Sequence, residues 1–247
     1  MSRYFIELCY RGTAYAGFQV QENAVTVQEE VEKAIEILFR EKITLTGSSR
    51  TDTGVHALQN YFHFDFDGDI GEGKVYNINA LLPGDIAIRR IIKMGPAAHC
   101  RFDAVARQYR YTIYMKKDPF IAGMAYYFPY TVAMEAMREA AKVVKEYREF
   151  EAFSKRNTQV KTYACNILES EWVEEGDTKI YRVKANRFLR GMVRGMVGTM
   201  LQVGRGKISV ERFGEIIENK VQGEVDFSVP GHGLCLESVE FKEGYFG

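Results

Sequence analysis

A chain of 247 residues, 46% of them apolar, is long enough to bury one large core or two modest ones. Its 33 Lys and Arg offset 33 Asp and Glu, a zero balance that on its face argues against a polyanionic partner. The longest apolar runs fall far short of a membrane span, no signal peptide precedes the first strand-like residues, and four scattered cysteines and four histidines show no zinc or redox spacing, so we expect a cytoplasmic protein with reduced cysteines and neither a metal nor a membrane.

Tyr4, Ile6, Leu8 and Tyr10 alternate at the period of a half-buried strand. Arg11 to Gln19 follows as a loop with glycines at both ends. Thr26 with Glu29 three residues on forms a capping box, and Val27, Val31, Ala34, Ile35 and Leu38 recur at helical spacing. Strand-like stretches from Ile43 to Thr46 and from Gln59 to Phe66 then flank Ser49-Arg50-Thr51-Asp52-Thr53-Gly54-Val55-His56-Ala57. This is the densest group of reactive side chains in the sequence. Asp-Thr-Gly by itself is a turn sequence, because Asp bonds its own backbone and Gly supplies a positive φ. With Arg50 two residues before it, however, Asp52 has a cation within reach, and an opposite charge favours the ionised carboxylate. That points to a nucleophile or base. An aspartic protease also uses Asp-Thr-Gly but needs two carboxylates sharing a proton; here there is one copy, and Arg50 would oppose the sharing.

A strand is expected from Ile86 to Ile92, and after Gly95-Pro96 a second half begins near residue 105. Tyr109, Tyr111 and Ile113 fall on one strand face and Arg110 and Thr112 on the other. A helix is expected over Val132 to Tyr147, then a strand pair, Asn166 to Val173 and Lys179 to Ala185, joined by an acidic turn. A second helix is expected over Arg187 to Val203, with Phe188, Leu189, Met192, Val193, Met196, Val197 and Met200 on one side and Arg187, Arg190, Gly191, Arg194 and Gly198 on the other. Glycine costs a helix about 1 kcal/mol relative to Ala, so something should approach that backbone closely. A final strand follows Leu234.

Charge is unevenly spread along this order. Residues 87 to 117 hold eight Lys or Arg against one acid, Asp103, and residues 179 to 207 hold eight against none. Such segments are the footprint of nucleic-acid binding, although basic solvated faces would look the same.

Several of these stretches together resemble the TruA family of tRNA pseudouridine synthases. The nonapeptide is similar to that family's Gly-Arg-Thr-Asp-x-Gly-Val-His, with Ser49 in place of Gly. Tyr10 to Gln19 resembles Tyr-x-Gly-x-x-Tyr-x-Gly-Trp-Gln with Phe18 for Trp, Ala106 to Tyr111 resembles Ala-Arg-x-Tyr-x-Tyr, and Asn186 to Gly198 resembles Asn-x-Phe-Leu-x-x-Met-Val-Arg-x-x-Val-Gly. Val229 to Leu236 resembles Ala-Pro-x-x-Gly-Leu-x-Leu. The pair Arg148-Glu149 departs from the family's pattern before Phe150, so no role is assigned there.

The resemblance implies an α+β fold of two lobes with mostly antiparallel sheets flanked by helices and an active-site cleft between them. The lobes would be 1–104, carrying the Asp52 loop, and 105–247, carrying the Tyr109 strand and the Arg194 helix. It implies an isomerase that turns uridine into pseudouridine at positions 38 to 40 of the tRNA anticodon stem-loop, as a homodimer without a cofactor. Asp52 would be the nucleophile, with Arg50, Tyr109 and Arg194 in the catalytic group and Tyr109, Arg50, Leu234, Arg187 and Arg190 binding substrate. The rival is an RNA-binding protein without catalysis, which would have no use for a carboxylate such as Asp52 in a phosphate-binding groove.

Overall fold

A computed structural model describes residues 1–71, 73–155 and 160–247. The chain forms two compact units, one of residues 1–105 with 235–247 and one of residues 106–234.

In the first unit, strand β1 (Ser2–Tyr10) is central, paired antiparallel with β3 (His56–Phe66) on one side and β4 (Ile86–Met94) on the other. Its expected face is buried, but so are Phe5 and Glu7 opposite. The second face is covered because Phe241, Tyr245 and Phe246 gather over Phe5, and Glu7 is satisfied by Arg90, Gln59 and Tyr61. Helix α1 (Val27–Phe39) starts where the capping box puts it: Thr26 accepts a bond from the Glu29 amide at 3.3 Å, a cap stabilising by about 1 kcal/mol. It lays Val27, Val31, Ala34 and Ile35 into the core.

The stretch from Ile43 does not become a strand before its last residue. Only β2 (Thr46–Gly47) pairs with β3. Ile43 and Leu45 are buried as their side chains require, yet the Leu45 amide bonds Glu32 and its carbonyl bonds Gln28, both side chains of α1, at 2.8 Å each. Those bonds occupy the groups a ladder would have used. Helix α2 (Lys74–Leu81) was not expected; it is eight residues long and buries only Ile78, so it carries little periodic signal.

The second unit is built on β5 (Ala106–Tyr114), with the two-residue strand β6 (Tyr126–Tyr127) on one edge, antiparallel to β8 (Thr178–Ala185), which pairs antiparallel with β7 (Ile167–Glu175). Tyr109, Tyr111 and Ile113 are buried, as their alternation predicts. Against this sheet packs α3 (Met134–Val144), shorter than expected by a few residues at each end. Helix α4 (Met192–Gly204) begins five residues later than the sequence pattern suggested, because Gly191 sits at φ 75°, in the left-handed region where a helix cannot propagate. Arg187 and Arg190 therefore precede the helix and share no face with Arg194. The close approach inferred from the glycines is real, but the chain itself supplies it: a Cβ on Gly198 would lie 2.1 Å from the Asp226 carbonyl oxygen, and one on Gly195 would lie 2.8 Å from Phe227. Next comes α5 (Val210–Glu218), capped by Ser209 on the Arg212 amide and not anticipated from sequence.

The chain then returns to the first unit with β9 (Leu234–Glu240), which runs parallel to β3 through His56–Cys235 and Ala57–Leu236. The whole is a mixed fold of mainly antiparallel sheets and flanking helices, as expected. No helix among the described residues is long and apolar enough to cross a membrane.

Candidate active site

The first unit builds the Asp52 loop out of backbone contacts. The Asp52 carbonyl accepts the Val55 amide at 3.1 Å, and Gly54 between them has φ 78°, so residues 52–55 form the β-turn that Asp-Thr-Gly predicts, with positive φ at its third position. Thr51, just before it, is buried. Its hydroxyl shares a hydrogen bond of 2.8 Å with the Tyr10 hydroxyl, and its carbonyl accepts the Phe18 amide at 3.1 Å. On the other side of the turn, the Gly54 amide bonds the Tyr15 carbonyl at 3.3 Å. Asn60, fully buried, bonds both the amide and the carbonyl of Ser49. Asp52 is half-buried between these fastenings, and the turn itself is made by its backbone.

The loop of residues 11 to 19 explains its glycines here. A Cβ on Gly12 would stand 1.9 Å from the Val55 carbonyl oxygen, and one on Gly17, where φ is 113°, would stand 2.9 Å from that of Thr51. Two loops thus meet at backbone distance. His56 of the motif accepts the Gly12 amide on Nδ1 at 3.0 Å and is buried, which makes it a fastener of the two loops. Phe18 lies stacked on Phe62 with ring centres 4.4 Å apart and also faces Tyr10. The Ser49 hydroxyl, where the motif has glycine, is buried without a partner; nothing in the structure explains it.

Arg50 departs from expectation. Its side chain is exposed and forms no ion pair among the described residues; it lines a groove of about 380 Å³ together with Phe18, His99, Arg101 and Phe102.

In the second unit, Tyr109 is buried on β5 with the ring of Phe188 edge-on at 5.1 Å and 88°. Phe188 had been expected on an apolar helix face; it lies in the approach to α4 instead. Arg194, half-buried in the first turn of α4, donates from Nε to the Val229 carbonyl at 2.8 Å and from a terminal nitrogen to that of Phe227 at 3.4 Å. Tyr111 donates to the Pro230 carbonyl at 2.8 Å, and burial raises its hydroxyl far above the ordinary value. A Cβ on Gly233 would meet the Tyr111 ring at 2.5 Å. Arg194 and Tyr111 thus hold residues 227 to 233, which end at the buried Leu234. Sequence reasoning missed this bracing; the Pro-Gly-x-Gly run was its only trace. Arg187 is half-buried and Arg190 exposed.

The basic segments are less free than their composition suggested. Lys179, Arg182 and Lys184 of β8 pair with Glu174, Glu175 and Glu169 of β7, and Arg90 pairs with Glu7. The acids of β7 lie beside the bases of β8 because the hairpin pairs the two strands, and Glu7 of β1 reaches Arg90 of the adjacent β4. Among the described residues no three His, Cys, Asp or Glu side chains gather as a metal would require.

Comparison with known proteins follows the same stretches. A family model described as tRNA pseudouridine synthase matches residues 9–103 and 147–242, which take in Asp52, Arg194 and Leu234 but not Tyr109. The tRNA pseudouridine synthase A of Parabacteroides distasonis is 44% identical over all of this chain and 98% of its own length. That of Bacteroides fragilis is 42% identical, covering 100% and 99%, and that of Staphylococcus aureus strain MRSA252 is 34% identical, covering 98% and 92%. With the match spanning both units and the motif loop built as a rigid turn, the chain belongs to the TruA family of tRNA pseudouridine synthases.

Proposed function

We propose that this isomerase acts on uridine at positions 38 to 40 of the tRNA anticodon stem-loop with Asp52 as its nucleophile. The observation that supports this most is the Asp52 turn: a half-buried carboxylate carried on backbone that is fixed from both sides. A side chain held on so fixed a turn is suited to covalent chemistry.

The reaction is an isomerisation. The bond from uracil N1 to ribose C1′ breaks, the ring turns, and C5 bonds to C1′; C5 gives up its proton and N1 gains one. Atoms and electrons balance without an added cofactor. The target base has to leave its stack, since neither C1′ nor the ring is reachable within a paired stem. Asp52 adds to the ring or the sugar in this scheme, and either addition loosens the N1 bond. Tyr109 stacks on the extruded base or takes the C5 proton. Arg194 and Arg50 stabilise negative charge on the detached uracil, Leu234 packs beside it, and Arg187 and Arg190 hold phosphates. We place the working enzyme in the cytoplasm as a homodimer.

The proton on C5 supplies the test. Transcript tRNA labelled with tritium at uracil C5 should release label to water when mixed with the protein and no cofactor. Tyr109→Phe distinguishes the two roles of the tyrosine: if its hydroxyl takes the proton, release slows by about 100-fold while tRNA affinity holds. Unchanged release would leave the ring as a stacking surface only, and no release by the wild type would sink the reading.

A further inference from the structure

The groove beside Arg50 has features that the reaction scheme leaves unused. Its lining, Phe18, Gln19, Gln28, residues 44–47, Arg50, His99, Arg101 and Phe102, includes two guanidinium groups and no carboxylate. Phe102 is 75% exposed, although a large apolar side chain in water forfeits stabilisation that burial would provide. It is nonetheless held in place. The His99 ring lies 4.2 Å from the Phe102 ring, centre to centre, and the Arg101 guanidinium lies 5.9 Å from that centre.

The turn beneath is tied down from several directions. His99 Nδ1 accepts the amides of Arg101 and Phe102 at 3.2 and 3.4 Å. The Asp103 carboxylate accepts the His99 amide at 2.7 Å and the Tyr245 hydroxyl at 2.5 Å. Burial holds His99 below its ordinary pKa, opposed in part by Asp103, which suits a ring nitrogen that must stay an acceptor.

We propose that this groove is a nucleotide subsite, taking one unpaired nucleotide of the substrate RNA with its base on Phe102 and its phosphate on Arg101; the inference rests on the reading above. An exposed aromatic ring fixed beside cations is the arrangement that binds single-stranded nucleic acid, through stacking on any base and charge on the backbone. A cavity of about 380 Å³ fits a small ligand such as one nucleotide. A second copy of the chain would need to bring a protrusion to fill the concavity. Arg50 stands two residues before Asp52, so the bound nucleotide would be a near neighbour of the target and would set how the strand enters.

The test is a reporter variant of the full chain. The chain has a single tryptophan, Trp172, which is buried, so Phe102→Trp adds one exposed indole at the groove. Addition of unmodified tRNA should quench that new emission, with wild-type protein supplying the Trp172 background. Phe102→Ala should weaken tRNA binding about tenfold, as loss of one stacked base does, and leave the melting temperature within about 2 °C, as an exposed substitution does. Unquenched indole at saturating tRNA, or an unchanged Kd for Phe102→Ala, would overturn the inference, as would a change in molecular mass on light scattering, which would make the groove a contact between copies. Wild-type protein that makes no pseudouridine defeats the reading above; wild-type protein that makes it while Phe102→Ala binds normally defeats this inference alone.

Discussion

Asp52→Asn is expected to fold, to bind tRNA with a Kd within about threefold of wild type, and to form pseudouridine more than about 100-fold more slowly. The exchange keeps the size of the side chain, and the turn that carries it depends on the residue's carbonyl, which accepts the Val55 amide, and on Gly54, neither of which is altered. Thr51 remains tied to Tyr10 and Phe18. The nucleophilic carboxylate is lost, and an amide cannot take its place in a covalent step. Single-turnover assays at saturating enzyme would separate this from weaker binding. A rate within tenfold of wild type would remove Asp52 from the chemistry.

Gly12→Ala should show the largest structural effect. Its Cβ would stand 1.9 Å from the Val55 carbonyl oxygen, and that oxygen is backbone on the far side of the Asp52 turn, so no side-chain rotation relieves the clash. Overpacking of this kind costs about 3 kcal/mol, which for a chain of this size lowers Tm by about 6 to 12 °C. The loss should extend to turnover, because the two loops must part and the Gly12 bond to His56 goes with them. Gly84→Ala is the control. Nothing lies within 4 Å of its Cβ and its φ is not positive, so it should match wild type or be slightly more stable, since Ala restricts the unfolded chain.

The Asp52 turn was readable in sequence because its geometry is local: Asp, Thr and Gly specify it within four residues. So was α1, whose Thr26 cap and apolar spacing act over single turns, and so was the alternation of Tyr109, Tyr111 and Ile113. Ile43 to Thr46 reads as a strand throughout because its buried residues alternate, while the side chains that satisfy its backbone, Gln28 and Glu32, lie more than ten residues earlier. The spacing predicts a helix from Arg187 because a wheel projects any sequence onto a cylinder, whereas the φ of Gly191 makes it a boundary. Charge was the least legible quantity. Composition by segment cannot show that Lys179 and Arg182 lie against Glu174 and Glu175. The bracing of residues 227 to 233 by Arg194 and Tyr111 joins positions more than 30 residues apart, and only the glycines at their meeting points left a mark.

The central claim, that this chain isomerises uridine in the anticodon stem-loop through Asp52, is tested most directly by mapping. Unmodified tRNA transcript would be incubated with wild-type or Asp52→Asn protein without any cofactor, and pseudouridine located nucleotide by nucleotide. The account predicts modification confined to positions 38 to 40 with wild type and none above background with the variant; modification elsewhere in the tRNA, or the same pattern from both proteins, would contradict it.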